Sequence, residues 1–371
     1  MKINIASFGG RAHLLDLARE LENLGHDVRF YSYVPNKRAI AFGLTRHSSC
    51  SLYYFAMPFL ILFKIFGFRR NLLYFYRIIY DWLVAVLMPP CDVFIGQVPM
   101  HYHSMKRAKT HFKAVTICES GLSNIDKYIS ILKSIGAKDY PHLDVSRYRK
   151  CYKTADYIAV ASLFSKKGFI ENGFDDKTLF MNPYGVSINN FRPTRLTSEP
   201  YDCIVVGQWC KRKGSDMVIS VCKKYGYRLL HVGSIVDIDF PQDSNFRHID
   251  AVPESELLNY YSMAKVFLFP SYEDGFGLVL IQAAACGLPI VCSPNTGGPT
   301  LREMLSDKKW IVVMNNVSEE ELNLGILKAL KLSQSQKGER NYVHDDLNQL
   351  TWKSYGERYE QFLKDVVFKD K

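Results

Sequence analysis

The chain alternates short apolar runs with segments in which apolar residues recur every three or four positions. The first example is INIAS (3–7), then a glycine pair, then residues 13–24, then DVRFYSYV (27–34). In 13–24, Leu14, Leu17, Ala18, Leu21 and Leu24 share one stripe, with Arg19, Glu20 and Glu22 outside it and Gly25 as the stop signal. Strand, helix and strand in that order predict a parallel pair. Further strands are predicted at 92–98, 114–118, 157–161 and 178–182, separated by helical stretches. After the polar stretch PTRLTSEP (193–200) the pattern restarts, with strands at 202–207, 228–233, 246–250, 265–270, 289–293 and 310–314. The expectation is an α/β chain of two tandem doubly wound, Rossmann-like domains facing each other across a cleft at the carboxyl ends of their strands. The predicted domains span 1–195 and 196–348, and 349–371 holds a last amphipathic helix, about 349–366, that packs back on the first domain.

With 47% hydrophobic residues among 371, the composition supports a large core and excludes a disordered or collagen-like chain. Nine cysteines, an odd number with no C-x-x-C pair, argue against a disulfide framework or a zinc ribbon and predict reduced core thiols. MKINIASFGG lacks the long apolar region of a signal peptide, which predicts a chain that starts in the cytosol.

The net charge of +10 is unevenly placed: residues 1–190 carry 25 Lys and Arg against 14 Asp and Glu, and 191–371 carry 22 against 23. A basic first half suits an anionic partner such as a lipid surface, a diphosphate or a nucleic acid. Residues 52–88 bear on that choice, because twelve aromatics between Tyr53 and Trp82 are interleaved with Lys64, Arg69, Arg70 and Arg77. Two helices, about 56–67 and 71–88, would suit an anionic bilayer interface; the same helices would equally serve to cover a sheet. The longest uncharged apolar run, Leu52–Phe63, is 12 residues, too short to span a bilayer. No nucleic-acid motif is present, and the aromatics lie among aliphatic residues, so nucleic acid is not the expected partner.

Candidate chemistry concentrates in SYEDGFGLVLIQAAACGLP (271–289), where a strand runs into two acids and two glycines and then into a helix from about Leu278. Glu273 and Asp274 could accept hydrogen bonds from sugar hydroxyls, the amides of Gly275, Phe276 and Gly277 could meet an anion, and Gln282 could turn toward the same ligand. Together with V-G-Q-W-C-K-R-K-G (206–214), T-G-G-P (296–299), Gly185-Val186-Ser187 and the Gly9-Gly10 turn, this segment resembles glycosyltransferase family 4, retaining sugar-nucleotide transferases of the GT-B fold. The resemblance implies no cofactor, a UDP- or GDP-sugar as donor substrate, and an acceptor hydroxyl on a lipid-linked or oligosaccharide molecule. It places Lys213 on the departing diphosphate, where a cation stabilises developing charge. It further implies that Glu273, Asp274 and Gln282 hold sugar or ribose hydroxyls. Gly9, Gly10, Gly185, Gln208, Gly275, Phe276 and Gly277 complete the donor site. On the acceptor side stand Glu119, with His101, His103 and Cys118 near the ends of the 92–98 and 114–118 strands.

This sequence departs from the family pattern at four positions. Asp274 and Gln282 stand where the family has a Glu pair, Gln208 replaces an Arg, and Cys118 replaces a His. These departures leave open a non-catalytic homologue that binds sugar nucleotide or a partner. Asp237-Ile238-Asp239 is read as a chance D-x-D match, since Lys213 supplies the charge a divalent ion would bring. The expected enzyme is a metal-independent hexosyltransferase of surface-polysaccharide synthesis, cytoplasmic and peripheral on the inner face of the membrane.

Overall fold

A computed structural model describes residues 1–7, 13–67, 70–137, 142–194 and 200–368. The first series of strands comprises β1 (Lys2–Ala6), β2 (Asp27–Ser32), β3 (Ser49–Ser51), β4 (Val93–Gln97), β5 (Val115–Ser120), β6 (Tyr157–Val160) and β7 (Leu179–Met181). They form one parallel sheet in the order β3-β2-β1-β4-β5-β6-β7. The second series comprises β8 (Tyr201–Val206), β9 (Leu229–Val232), β10 (Phe246–Ile249), β11 (Ala264–Phe269), β12 (Ile290–Cys292) and β13 (Ile311–Val313). Its order is β10-β9-β8-β11-β12-β13, again all parallel. Both sheets reverse direction of growth beside their first strand, between β1 and β4 and between β8 and β11, and the crevice at such a reversal opens at the carboxyl ends.

Registers agree with the apolar pattern. Ile3 pairs with Val28 on one side and Val93 on the other, and both faces of β1 are buried, so it reads as a nearly continuous apolar run. Leu14, Leu17, Ala18 and Leu21 of the helix His13–Asn23 are buried as the stripe requires. Glu20, expected outside, is buried instead because the last helix, Trp352–Val367, covers that face. Gly356 permits the approach: a Cβ there would overlap the Glu20 side chain. Tyr355, Tyr359 and Leu363 are buried along the same face, where the last helix lies against the helix His13–Asn23. It starts at Trp352, later than the pattern implied, since 341–350 form 3-10 turns and Thr351 caps the helix by accepting from Ser354 N.

The strand β3 was not foreseen; Ser-Cys-Ser has no apolar alternation to announce it. All nine cysteines are free thiols, eight of them buried. The helices Tyr53–Phe66 and Arg70–Leu87 form a hairpin beside the first sheet, and no helix among the described residues is long and apolar enough to cross a membrane.

Candidate active site at the seam between the sheets

The lysine turn and the acid-glycine loop are built against one another. Lys211–Lys213 form one 3-10 turn that ends at Gly214 in the left-handed region, with φ of 76°. A Cβ on Gly214 would stand 2.6 Å from Pro270 O, so glycine is required twice over, by conformation and by space. Tyr272 N then donates to Arg212 O at 2.9 Å, which fixes the two turns in register.

Charge gathers at this junction. Lys213 Nζ bonds Asp274 Oδ2 and lies 4.7 Å from the centroid of the Phe269 ring. Arg212 Nη1 donates to Glu273 O at 2.8 Å and stands 3.7 Å from Asp274 Oδ2. Burial works to raise the Asp274 pKa, but Lys213 and Arg212 outweigh it and hold the carboxyl below its ordinary value. Glu273 moves the other way: burial and the neighbouring Asp274 charge raise its pKa, and Arg212 only partly offsets them.

The Glu273 carboxyl is buried within the seam. Its Oε1 accepts from Ser123 N at 3.1 Å and Ser123 Oγ at 2.9 Å, both from the first sheet's side of the cleft. Gly275 likewise faces inward: its carbonyl accepts from Ser162 Oγ and, at 3.0 Å, from Ser165 Oγ, and a Cβ there would overlap Gly121 O. The Phe276 amide, expected to greet an anion, donates to Asp274 Oδ1 at 3.2 Å, and the Phe276 ring is buried edge-on to Tyr184. Gly277, with φ of 82°, lets the chain turn over the Phe269 ring. Leu163 N donating to Thr300 Oγ1 at 2.8 Å completes this closed seam. Gly297 and Gly298 are packed against Phe276 and Cys292, so their smallness serves the turn.

Behind the seam lies a cleft of about 360 Å³ including its mouth, lined by His13, Asp16, Gly185, Glu254, Gln282 and Trp352 among others. Gln282 Oε1 accepts from Tyr261 OH at 3.1 Å. Gly185 is held to glycine by the backbone of Thr351 and Trp352, which a Cβ would meet. Glu119 is buried at the end of β5, accepting from Tyr359 OH at 2.8 Å and lying 3.1 Å from His13 Nε2. It therefore orients His13, whose ring lies 4.4 Å from that of Tyr184, and does not itself face the cleft. Sequence reasoning missed His13; its signal was a histidine opening the helix that follows the glycine pair. Gly9 and Gly10 lie outside the described residues.

Three acceptor-side candidates sit elsewhere. Cys118 points into the core of the first sheet, and burial pushes its thiol far from thiolate formation. His101 is fully buried, its pKa drawn down to about 4, and neither ring nitrogen has a hydrogen-bond partner among the described residues. His103 stacks on Trp82 at 4.7 Å on the outside of the hairpin. Gln208 is exposed at the rim beside the lysine turn. Asp237 Oδ1 accepts from Lys211 N at 2.9 Å and so shapes that turn; among the described residues no cluster of three or more His, Cys, Asp or Glu could hold a metal.

Residues 187–343 match the family described as glycosyl transferases group 1. The chain is 34% identical over 85 residues to the O-antigen chain mannosyltransferase B of Escherichia coli, covering 23% of this chain and 21% of that protein. It is 24% identical over 187 residues to the capsular polysaccharide biosynthesis glycosyltransferase CapM of Staphylococcus aureus, covering 46% and 49%. The matches thus span between about a fifth and a half of these curated relatives. Among solved structures, sucrose-phosphate synthase from Thermosynechococcus elongatus superposes with a TM-score of 0.68 at 15% identity over 100% of both chains. Anabaena HepE in complex with UDP and glucose gives 0.66 at 13%, over 98% of this chain and 100% of that one. At such identities the likeness is one of fold, the two-sheet GT-B architecture. Residues 187–343 therefore resemble the glycosyl transferases group 1 family, and the chain as a whole has the GT-B fold.

Proposed function

We propose that the chain is a retaining, metal-independent glycosyltransferase that moves a hexose from a UDP- or GDP-sugar to an acceptor hydroxyl. The observation that carries this reading is the meeting of Lys213, Arg212 and Asp274 at one point of the seam beside the cleft lined by Gln282 and His13. A donor diphosphate entering there competes with Asp274 for Lys213. The freed Asp274 carboxylate, still beside Arg212, accepts from a sugar hydroxyl. Lys213 and Arg212 then stabilise the charge that grows on the diphosphate as the anomeric bond breaks. The acceptor hydroxyl attacks from the face the diphosphate leaves and gives its proton to that phosphate, so the configuration is kept. Gln282 holds the ribose.

The relatives' names, O-antigen and capsule enzymes, and the UDP and glucose bound by HepE support a nucleotide sugar and an acceptor in bacterial surface-polysaccharide synthesis. The acceptor in this reading is lipid-linked or an oligosaccharide, met on the inner face of the cytoplasmic membrane. A thermal-shift screen of UDP, GDP, ADP and their sugar conjugates tests it. One conjugate should stabilise the chain, and Lys213→Ala should abolish the shift; no shift with any of them would refute the donor site.

A second reading, a homologue that binds without turnover, is favoured by Gln282 where the family pattern has Glu. Turnover of the natural chain with the stabilising donor excludes it. Turnover appearing only in Gln282→Glu would establish it.

A further inference from the structure

Of the 19 large hydrophobic residues exposed among the described residues, ten lie within the hairpin 53–87. They are not scattered. On the helix Tyr53–Phe66, Tyr54, Met57, Ile61 and Ile65 form one outward stripe at helical spacing; on Arg70–Leu87, Phe75, Ile79, Trp82 and Val86 form a second. Tyr54 is 84% exposed, Ile65 66% and Phe75 60%, whereas Tyr76, Tyr80 and Val84 on the inner face are buried against the sheet. The two readings of this segment therefore hold on opposite faces of the same hairpin. Two apolar stripes left exposed on one hairpin mark an interaction site.

Charge identifies the occupant. Residues 53–87 contain one carboxylate, Asp81, and it is fully buried, bonded to Ser104 and Arg147. The outer face thus carries no negative side chain, and exposed Lys64, Lys106 and Lys150 stand on the hairpin and around its His103 edge. A second copy of this face would set like charges against each other. Helices of 14 and 18 residues rise about 21 and 27 Å, short of the roughly 30 Å hydrocarbon layer, so they would lie in the interface and not cross it.

We propose that this hairpin is the docking surface for an anionic lipid bilayer, lying in the membrane plane with both stripes sunk among the acyl chains and the lysines at the headgroups. Tyr80 OH donates to Ser7 O at the end of β1, and Asp81 accepts from His103 N and Ser104 N beyond the end of β4. Docking by this face therefore holds the carboxyl edge of the first sheet at the membrane, where a lipid-borne hydroxyl would be met. The inference rests on the transferase reading only for that acceptor.

The test is flotation of the intact chain with vesicles of equal parts phosphatidylglycerol and phosphatidylcholine, against phosphatidylcholine alone. The natural chain should float with the anionic vesicles, and Lys64→Glu should weaken this binding. The quadruple variant Ile61→Ser, Ile65→Ser, Phe75→Ser, Ile79→Ser should reduce partitioning about tenfold or more, since each loses buried apolar area. A second measurement needs no substitution. Trp209, Trp310 and Trp352 are buried, so bromine-labelled lipid should quench Trp82 alone. The inference fails if the natural chain floats with neither vesicle, if the quadruple variant floats as well as the natural chain, or if brominated anionic lipid leaves the emission unquenched. Nucleotide-sugar thermal shift, which needs no vesicle, is measured alongside: its survival when flotation fails sinks this inference alone, and its absence with flotation intact sinks only the donor site.

Discussion

Ser123 of the first sheet's side donates both its backbone N–H and its hydroxyl to one oxygen of Glu273, 150 positions further along the chain. Both residues are buried, so the pair joins the two halves of the molecule at the loop that reads as the donor site. Ser123→Ala removes one of these bonds and should cost about 1–3 kcal/mol, the penalty of leaving a buried acceptor short of a partner. Denaturant unfolding measures it. A loss below a few tenths would show that the seam is open in solution.

The two adjacent carboxyls give opposite pH signs. Burial raises the Glu273 pKa, so the native state holds that proton longer than the unfolded chain, and its contribution to stability falls as pH climbs through the raised value. The lowered Asp274 pKa gives stability present above its ordinary value and lost as pH falls through the depressed one. Melting temperatures followed across the carboxylate range should therefore lose their fall with rising pH in Glu273→Gln, and their acid-side loss in Asp274→Asn.

Lys213→Ala should abolish donor binding. A ligand at a hundred times its Kd adds about 2.7 kcal/mol, and that increment should vanish with the cation. The variant also leaves Asp274 with Arg212 alone, so its own melting point should fall; a variant that melts lower yet still shifts fully with donor would refute the role given to Lys213.

Gln282→Glu should tighten donor binding about tenfold, because a charged acceptor roughly doubles the worth of a hydrogen bond to ribose. Tyr261 OH can donate to either side chain, so the fold should be unaffected. Calorimetric titration with the donor found in the screen decides it; unchanged or weaker binding means that Gln282 does not reach the ribose.

How far the sequence could be read depended on whether a feature repeats locally. Leu14, Leu17 and Leu21 announce their helix because burial on one side recurs every turn, and strands such as β12 and β13 announce themselves as unbroken apolar runs. Lys213 beside Asp274 was legible because each belongs to a short motif with its own glycine. The partnership of Glu273 with Ser123 was not, since nothing near either residue marks the other. Cys118 and Glu119 illustrate a finer limit: adjacent positions on a strand point to opposite faces, and only the packed sheet shows that one meets the core and the other His13.

Gly356 settles where the end of the chain belongs. By lying flat against Glu20, the last helix spends its apolar side on the sheet that was made first, while the sheet made second ends before it. Covalent order and packing order are interleaved, so the amino-terminal half is not a self-sufficient folding unit. Cutting the chain after residue 350 should injure the amino-terminal lobe, bare its first helix and leave the carboxyl-terminal sheet intact.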